Sequence, residues 1–195
     1  MARGPAKSFD PDKVLNLAMV EFWKRGYAAT SMSNLRDVTG LGAKSLYDTY
    51  GGKRELFLAA LDRYGETQVK CMFDQVIATL PADEALEKIF QTLVKIHRRT
   101  PHMGCLLGVA AAQLEDDPDL RSAIDQQYVG IRAALETALG QLAFKPSAPS
   151  PREMASFLLV LFQGANLVGR VDQETAHAET AILTARQLIL AWRTD

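Results

Sequence analysis

The side chains with reactive chemistry are few: two cysteines, Cys71 and Cys105, and three histidines, His97, His102 and His177. Cys105 has the richest setting. It closes the run Arg98-Arg99-Thr100-Pro101-His102-Met103-Gly104-Cys105 and precedes a stretch that reads as a helix over about 104–114. A helix N-terminus and nearby cations both favour the thiolate, the nucleophilic and oxidisable form of the side chain. That pattern points to a low-pKa thiol able to meet an oxidant or electrophile. A small residue filling a helix–helix contact would carry the same letters. His97, His102 and Cys105 stand at i, i+5 and i+8, which does not put three ligands on one helix face, so no metal site is expected. No cofactor is expected either. P-loop, Gly-x-Gly-x-x-Gly, Gly-x-Ser-x-Gly and His-Glu-x-x-His motifs are all missing from the chain, and an enzyme is the weaker reading.

Polar groups able to meet a phosphate or a base edge cluster elsewhere, from Thr30 to Lys53, read TSMSNLRDVTGLGAKSLYDTYGGK. Leu35 and Val38 form an apolar face at i, i+3. Gly40-Leu41-Gly42 interrupts it, and Leu46 and Tyr50 begin a second face at i, i+4. Two short helices joined by a glycine turn are the geometry that lays a recognition helix in the DNA major groove. A purely structural helical hairpin has the same spacing. The second helix turns Lys44, Ser45, Tyr47 and Asp48 outward, short or polar groups suited to phosphates and bases. Ahead of it, Asp10 and Pro11 start a helix with Val14, Leu17, Ala18 and Phe22 inside, and Gly26 ends it.

With these residues the segment resembles the DNA-binding head of the TetR family of transcriptional regulators. Thr30-Ser31, Gly40, Ser45-Leu46-Tyr47, Tyr50 and Lys53, followed by Glu55-Leu56-Phe57, stand in the family's order. Gly42 departs from it where a Ser usually caps the recognition helix, and Asp48 where a neutral or basic residue is commoner. The resemblance implies an all-α chain: an N-terminal three-helix helix-turn-helix head over 1–53, with the motif at about 33–52, and a larger helical ligand-binding and dimerisation body over 54–195. Thr30, Ser31, Tyr47 and Lys53 are expected on phosphates, and Ala43, Lys44 and Ser45 on base edges. The Gly104-Cys105-Leu106 run also resembles a branch of the family that includes electrophile- and oxidant-responsive repressors.

Composition fits this division. A chain of 195 residues with 48% hydrophobic content can bury a sizeable core. Residues 1–54 carry nine cationic and five acidic side chains, a net +4, while the remainder carries thirteen and eighteen, a net −5. A basic head on an acidic body is the footprint of a protein whose head alone meets nucleic acid. No apolar run approaches the ~20 residues of a membrane span, and the basic N-terminus lacks the apolar stretch of a secretory signal. Two weakly patterned cysteines suggest a reducing cytoplasm.

Beyond the head, helices are expected at about 53–79, 82–99, 104–114, 118–143, 152–170 and 175–192, punctuated by Pro81, Pro101, Pro118 and the Pro/Ser-rich stretch 145–151. Phe157 to Phe162 is apolar on every side, so its helix needs cover all round. A monomer's central helix or a subunit interface would satisfy that. The resemblance favours a homodimer paired through the last two helices, with Leu161, Ala165, Val168, Ile189 and Trp192 as contacts. It also implies a cavity for a small-molecule effector among the middle helices, with Cys71, Phe73, Ile96, Cys105, Tyr128, Phe162 and Asn166 as candidate lining. The expected function is that of a cytoplasmic repressor, released from a palindromic operator in double-stranded DNA by a small-molecule or redox signal. A helical protein-interaction module, or an enzyme that does not bind DNA, is the alternative.

Overall fold

The computed structural model of the chain describes residues 9–99, 103–113, 116–171 and 176–194. Among them the elements are helices, with one isolated bridge between Phe144 and Arg193. Helix α1 (Pro11–Arg25) begins where the Asp10 carboxylate accepts from the amides of Asp12 at 3.0 Å and Lys13 at 3.3 Å. Ser31 and Asn34 form a reciprocal capping box at the start of α2 (Met32–Thr39). Gly40 then takes a left-handed φ of +71°, which turns the chain sharply into α3 (Ala43–Tyr50). Helix α4 (Lys53–Tyr64) lies across α1.

Val14, Ala18, Phe22, Leu35, Leu46, Leu56 and Phe57 are buried where these four helices meet. Phe22 meets Phe57 edge-on with ring centroids 4.9 Å apart, an arrangement that adds to the burial of both rings. The Tyr50 hydroxyl donates to the Pro11 carbonyl at 2.8 Å and so ties the end of α3 to the start of α1.

The single helix expected over 53–79 is interrupted. After α4 the chain makes a π-helical turn, Gly65–Val69, then two short helices, α5 (Lys70–Met72) and α6 (Asp74–Thr79). Phase explains the interruption. Leu61 and Tyr64 face inward, and an unbroken helix would carry Gln68 and Met72 round to the same side. One extra residue in the turn brings Val69 and Phe73 inward instead and leaves Gln68 exposed.

The body consists of α7 (Ala82–Arg99), α8 (Leu106–Ala112), α9 (Pro118–Gly140), α10 (Pro151–Gly169) and α11 (Ala176–Trp192). Helix α10 packs between α9 and α11, and α11 also rests on α7. Asp117 and Ser150 cap α9 and α10, each followed by a proline in the first helical turn.

Helix α10 is two-sided rather than enclosed. Met154, Ala155, Leu158, Phe162 and Ala165 face the core. Phe157, Val160, Leu167 and Val168 face out, Val160 at 72% exposure, and Val171 just past the helix end is 80% exposed. This corrects the expected dimer contacts. Ala165 and Ile189 are 5% and 0% exposed within the protomer, so they already serve its own core. Val168 lies on the open face, and Leu161 and Trp192 are partly covered.

Candidate nucleic-acid interface and body cavity

Helix α3 is anchored by its buried Leu46 and turns Lys44, Tyr47 and Asp48 to solvent; Tyr47 is 53% exposed. Ala43 and Ser45 are half-buried at its first turn. Gly42 occupies the cap position without a side-chain hydrogen bond, so the opening amides of α3 have no side-chain acceptor. Ser31 is exposed, but its hydroxyl already works in the α2 cap, accepting from the Asn34 amide at 3.1 Å.

Two expected phosphate contacts look different in place. Thr30 is fully buried, and its hydroxyl donates to the Gly26 carbonyl at 2.7 Å; it pins the α1–α2 turn and does not reach outward. Lys53 opens α4 with its ammonium 4.3 Å from the centre of the Tyr27 ring, and partial burial lowers its pKa. The cation is thereby positioned at the end of the recognition hairpin, beside the uncapped N-terminus of α4.

One residue that sequence reading passed over joins this region to the body. The Arg54 guanidinium holds Asp117 bidentately, both contacts at 2.8 Å, and reaches Asp119 at 2.7 Å. The same Asp117 carboxylate caps α9, and Arg54 together with those amides pulls its pKa down to about 2. A basic residue next to Lys53 and an Asp-Pro-Asp triplet are visible in the sequence, but nothing local says that they meet.

Behind the head lies a cavity of about 310 Å³, partly open to solvent and lined from α4, the π turn, α5, α7, α9 and α10. Of the candidate lining residues, Cys71, Phe73, Ile96, Cys105, Phe162 and Asn166 come together around it. Tyr128 does not line it. Its hydroxyl sits mostly buried near Cys105, and burial foremost, with that thiol second, pushes its pKa up to about 12.

Sequence reading missed Trp23, Tyr64, Thr67, Gln68 and Gln163, which also line the wall. Gln163 carried a signal, being an amide set inside the apolar run of α10. Its Oε1 is buried with no hydrogen-bond partner. Trp23 belongs to α1, so the cavity touches the head directly; its indole N–H donates to the Gly104 carbonyl at 3.0 Å. Gly104 has φ +62°, and a Cβ there would lie 2.7 Å from the Asn166 carbonyl oxygen, so only glycine lets this strap pass.

Cys105 is 8% exposed and receives the Tyr64 hydroxyl at 3.5 Å. The basic company expected for it is not supplied by Arg98, whose guanidinium pairs with Glu179 at the surface. The Arg99 side chain and His102 lie outside the described residues. Among the described residues no group of three His, Cys, Asp or Glu side chains converges on a common point. None of the described helices is long and apolar enough to cross a membrane.

Comparison with known proteins meets this geometry at the head. Residues 14–60 match the family described as bacterial regulatory proteins, tetR family. An uncharacterised HTH-type transcriptional regulator of Bacillus subtilis, YezE, is 35% identical over 126 residues, which cover 64% of this chain and 65% of that protein, just under two thirds of its length. The HTH-type transcriptional repressor ComR of Escherichia coli is 29% identical over an alignment covering 98% of this chain and 92% of the relative. A cysteine mutant of the TetR family regulator CifR, solved with a 26-base-pair double-strand operator, superposes with a TM-score of 0.75 at 22% identity, covering 97% of this chain and all of that one. That likeness speaks for the fold. The matched head and the whole-chain fold are those of the TetR family of transcriptional regulators.

Proposed function

We propose that this protein is a homodimeric repressor that leaves a palindromic operator when a small molecule fills the cavity in its body. The observation that carries the reading is the make-up of the cavity wall. Trp23 of α1, and Tyr64 with the π turn at the end of α4, are pieces of the same helices that carry α2 and α3. A ligand in the cavity therefore presses on the supports of the recognition helix. It shifts the protein toward a released state by the difference in its affinity for the two states. The relative ComR is named a repressor, which supports that sign.

In this reading residues 1–53 form the DNA-binding unit and 54–195 the regulatory and dimerising unit, with α4 as the seam between them. Ser31, Tyr47 and Lys53 serve phosphates, and Ala43, Lys44 and Ser45 serve base edges. The outward apolar stripe of α10 supports pairing of two copies about a two-fold axis, which matches a palindrome. Selection of bound genomic DNA with the purified protein tests it. An enriched inverted repeat, lost on adding an extract of small metabolites, is expected; a sequence without two-fold symmetry overturns the dimeric reading.

A second signal is favoured by one observation. Cys71 and Cys105 line the same cavity, so an electrophile or oxidant that enters meets two thiols. Operator complexes that dissociate on adding a quinone, but persist in Cys105→Ser, are the expected result for a thiol switch.

A further inference from the structure

Resting on the cavity as the effector site, we infer the chemical class of its occupant: a small, uncharged, largely apolar molecule that carries one hydroxyl and hydrogen-bonds Gln163.

Among the described lining residues none is charged. An ionic ligand would leave water for a wall with no counter-charge, a cost that nothing in the wall offsets. The apolar share of the wall mixes aromatic, sulfur-bearing and aliphatic side chains, among them Trp23, Phe73, Phe162, Met72, Ile96 and Leu159. Such groups contact flat or branched hydrocarbon well. At about 310 Å³ the cavity stands at the lower end of small-molecule sites, roughly 300–1,000 Å³, which suits one substituted ring and not a large multi-ring compound.

The polar share is mostly spoken for. The Trp23 indole donates to Gly104, the Tyr64 hydroxyl to Cys105, the Thr67 hydroxyl to the Arg63 carbonyl at 2.7 Å, and the Asn166 amide to the Phe162 carbonyl at 2.8 Å. Gln163 differs, because its Oε1 is buried and unpartnered at the cavity wall. A buried acceptor left without a donor is unfavourable, and a ligand that supplies the donor recovers part of that cost. A hydroxyl supplies that donor, and an ether does not.

Three probes of one shape separate these requirements: 4-butylphenol, 4-butylanisole and 4-butylbenzoate, each titrated calorimetrically into the full-length protein. The phenol is expected to bind, the anisole about tenfold more weakly for want of the donor, and the benzoate not measurably. In Gln163→Leu the preference for phenol over anisole should fall to near unity. No phenol binding, benzoate binding at least as strong as phenol, or a phenol preference that survives in Gln163→Leu overturns the assignment. The first two readouts use the unaltered protein, so a variant that fails to fold leaves the test standing.

The assignment and the reading beneath it fail separately. A phenol that binds but leaves the operator complex intact removes the cavity's effector role and keeps the ligand class. A benzoate that releases DNA removes the class and keeps the role.

Discussion

Lys44 and Tyr47 both project from α3, about one helical turn apart. Lys44 is in the first turn, the part of a recognition helix that meets base edges, whereas Tyr47 is a turn further on and 53% exposed. Lys44→Ala should therefore change which operator base is preferred at one position, by roughly 1–3 kcal/mol. Tyr47→Phe should weaken all sequences alike. Binding to a panel of single-base operator variants separates the two, and uniform weakening by Lys44→Ala would remove its base-reading role. Thr30→Val belongs to neither class. It loses the hydroxyl bond to Gly26, so it should lower stability by about 1–3 kcal/mol and weaken DNA binding only in proportion to unfolding. Thermal melts alongside binding isotherms check that. At this scale sequence was a good guide to side chains whose role follows from local position, such as Asp10 and Leu46. It could not tell that Thr30 points inward, because burial of a hydroxyl depends on a turn geometry that two letters do not encode.

Between elements, the Arg54–Asp117 clasp ties the start of α4 to the start of α9, hence head to body. Its pH dependence has a definite sign. Asp117 is held at about 2 in the folded protein, against about 3.9 for a free side chain. The contribution is thus fully present above about pH 4–5 and drains away as pH falls toward 2. Asn caps a helix about as well as Asp, so Asp117→Asn should keep α9 and lose only the ion pair. Tm measured from pH 5 down to 2 should fall less steeply in Asp117→Asn than in the parent, and the difference should shrink in high salt. Parallel curves would mean that the clasp contributes nothing. The π turn makes a second prediction. Deleting Gln68 restores ordinary helical phase while keeping Val69 and Phe73 inside. The variant should fold with little change in Tm, yet lose the response of the operator complex to ligand, because the wall joining the cavity to α4 is rebuilt. Retained ligand release would show the extra residue to be incidental. Helix starts were legible here because caps and prolines are local. The π turn was not, since it answers a phase requirement set by the packing of α4 and Phe73 against other helices.

For the molecule as a whole, the outer face of α10 is where the proposed pairing of two copies would be made. Phe157, Val160, Leu161, Gly164, Leu167 and Val168 recur at helical spacing along one stripe, and most are more than a third exposed in the single chain. Leu183, Leu188 and Leu190 of α11 add apolar surface of their own. A continuous apolar surface of this kind marks an interaction site, and a stripe on one long helix packs well against its own two-fold copy. Sequence had identified the two helices but not their sides, because an all-apolar run has no polar face from which to read orientation. Ala165→Arg is an unsuitable probe of subunit contact, since it would place a charge in the protomer core and unfold the chain. Val160→Arg is the right one, since the side chain is already 72% exposed and its replacement costs the protomer little. Light scattering should give a dimer for the parent and a monomer for Val160→Arg, with the two Tm values differing only by the loss of subunit association. Operator affinity should fall steeply, because each head then binds its half-site without the other's help, and the two half-sites no longer gain from tethering. A Val160→Arg protein that remains dimeric and keeps its operator would move the subunit contact to another face.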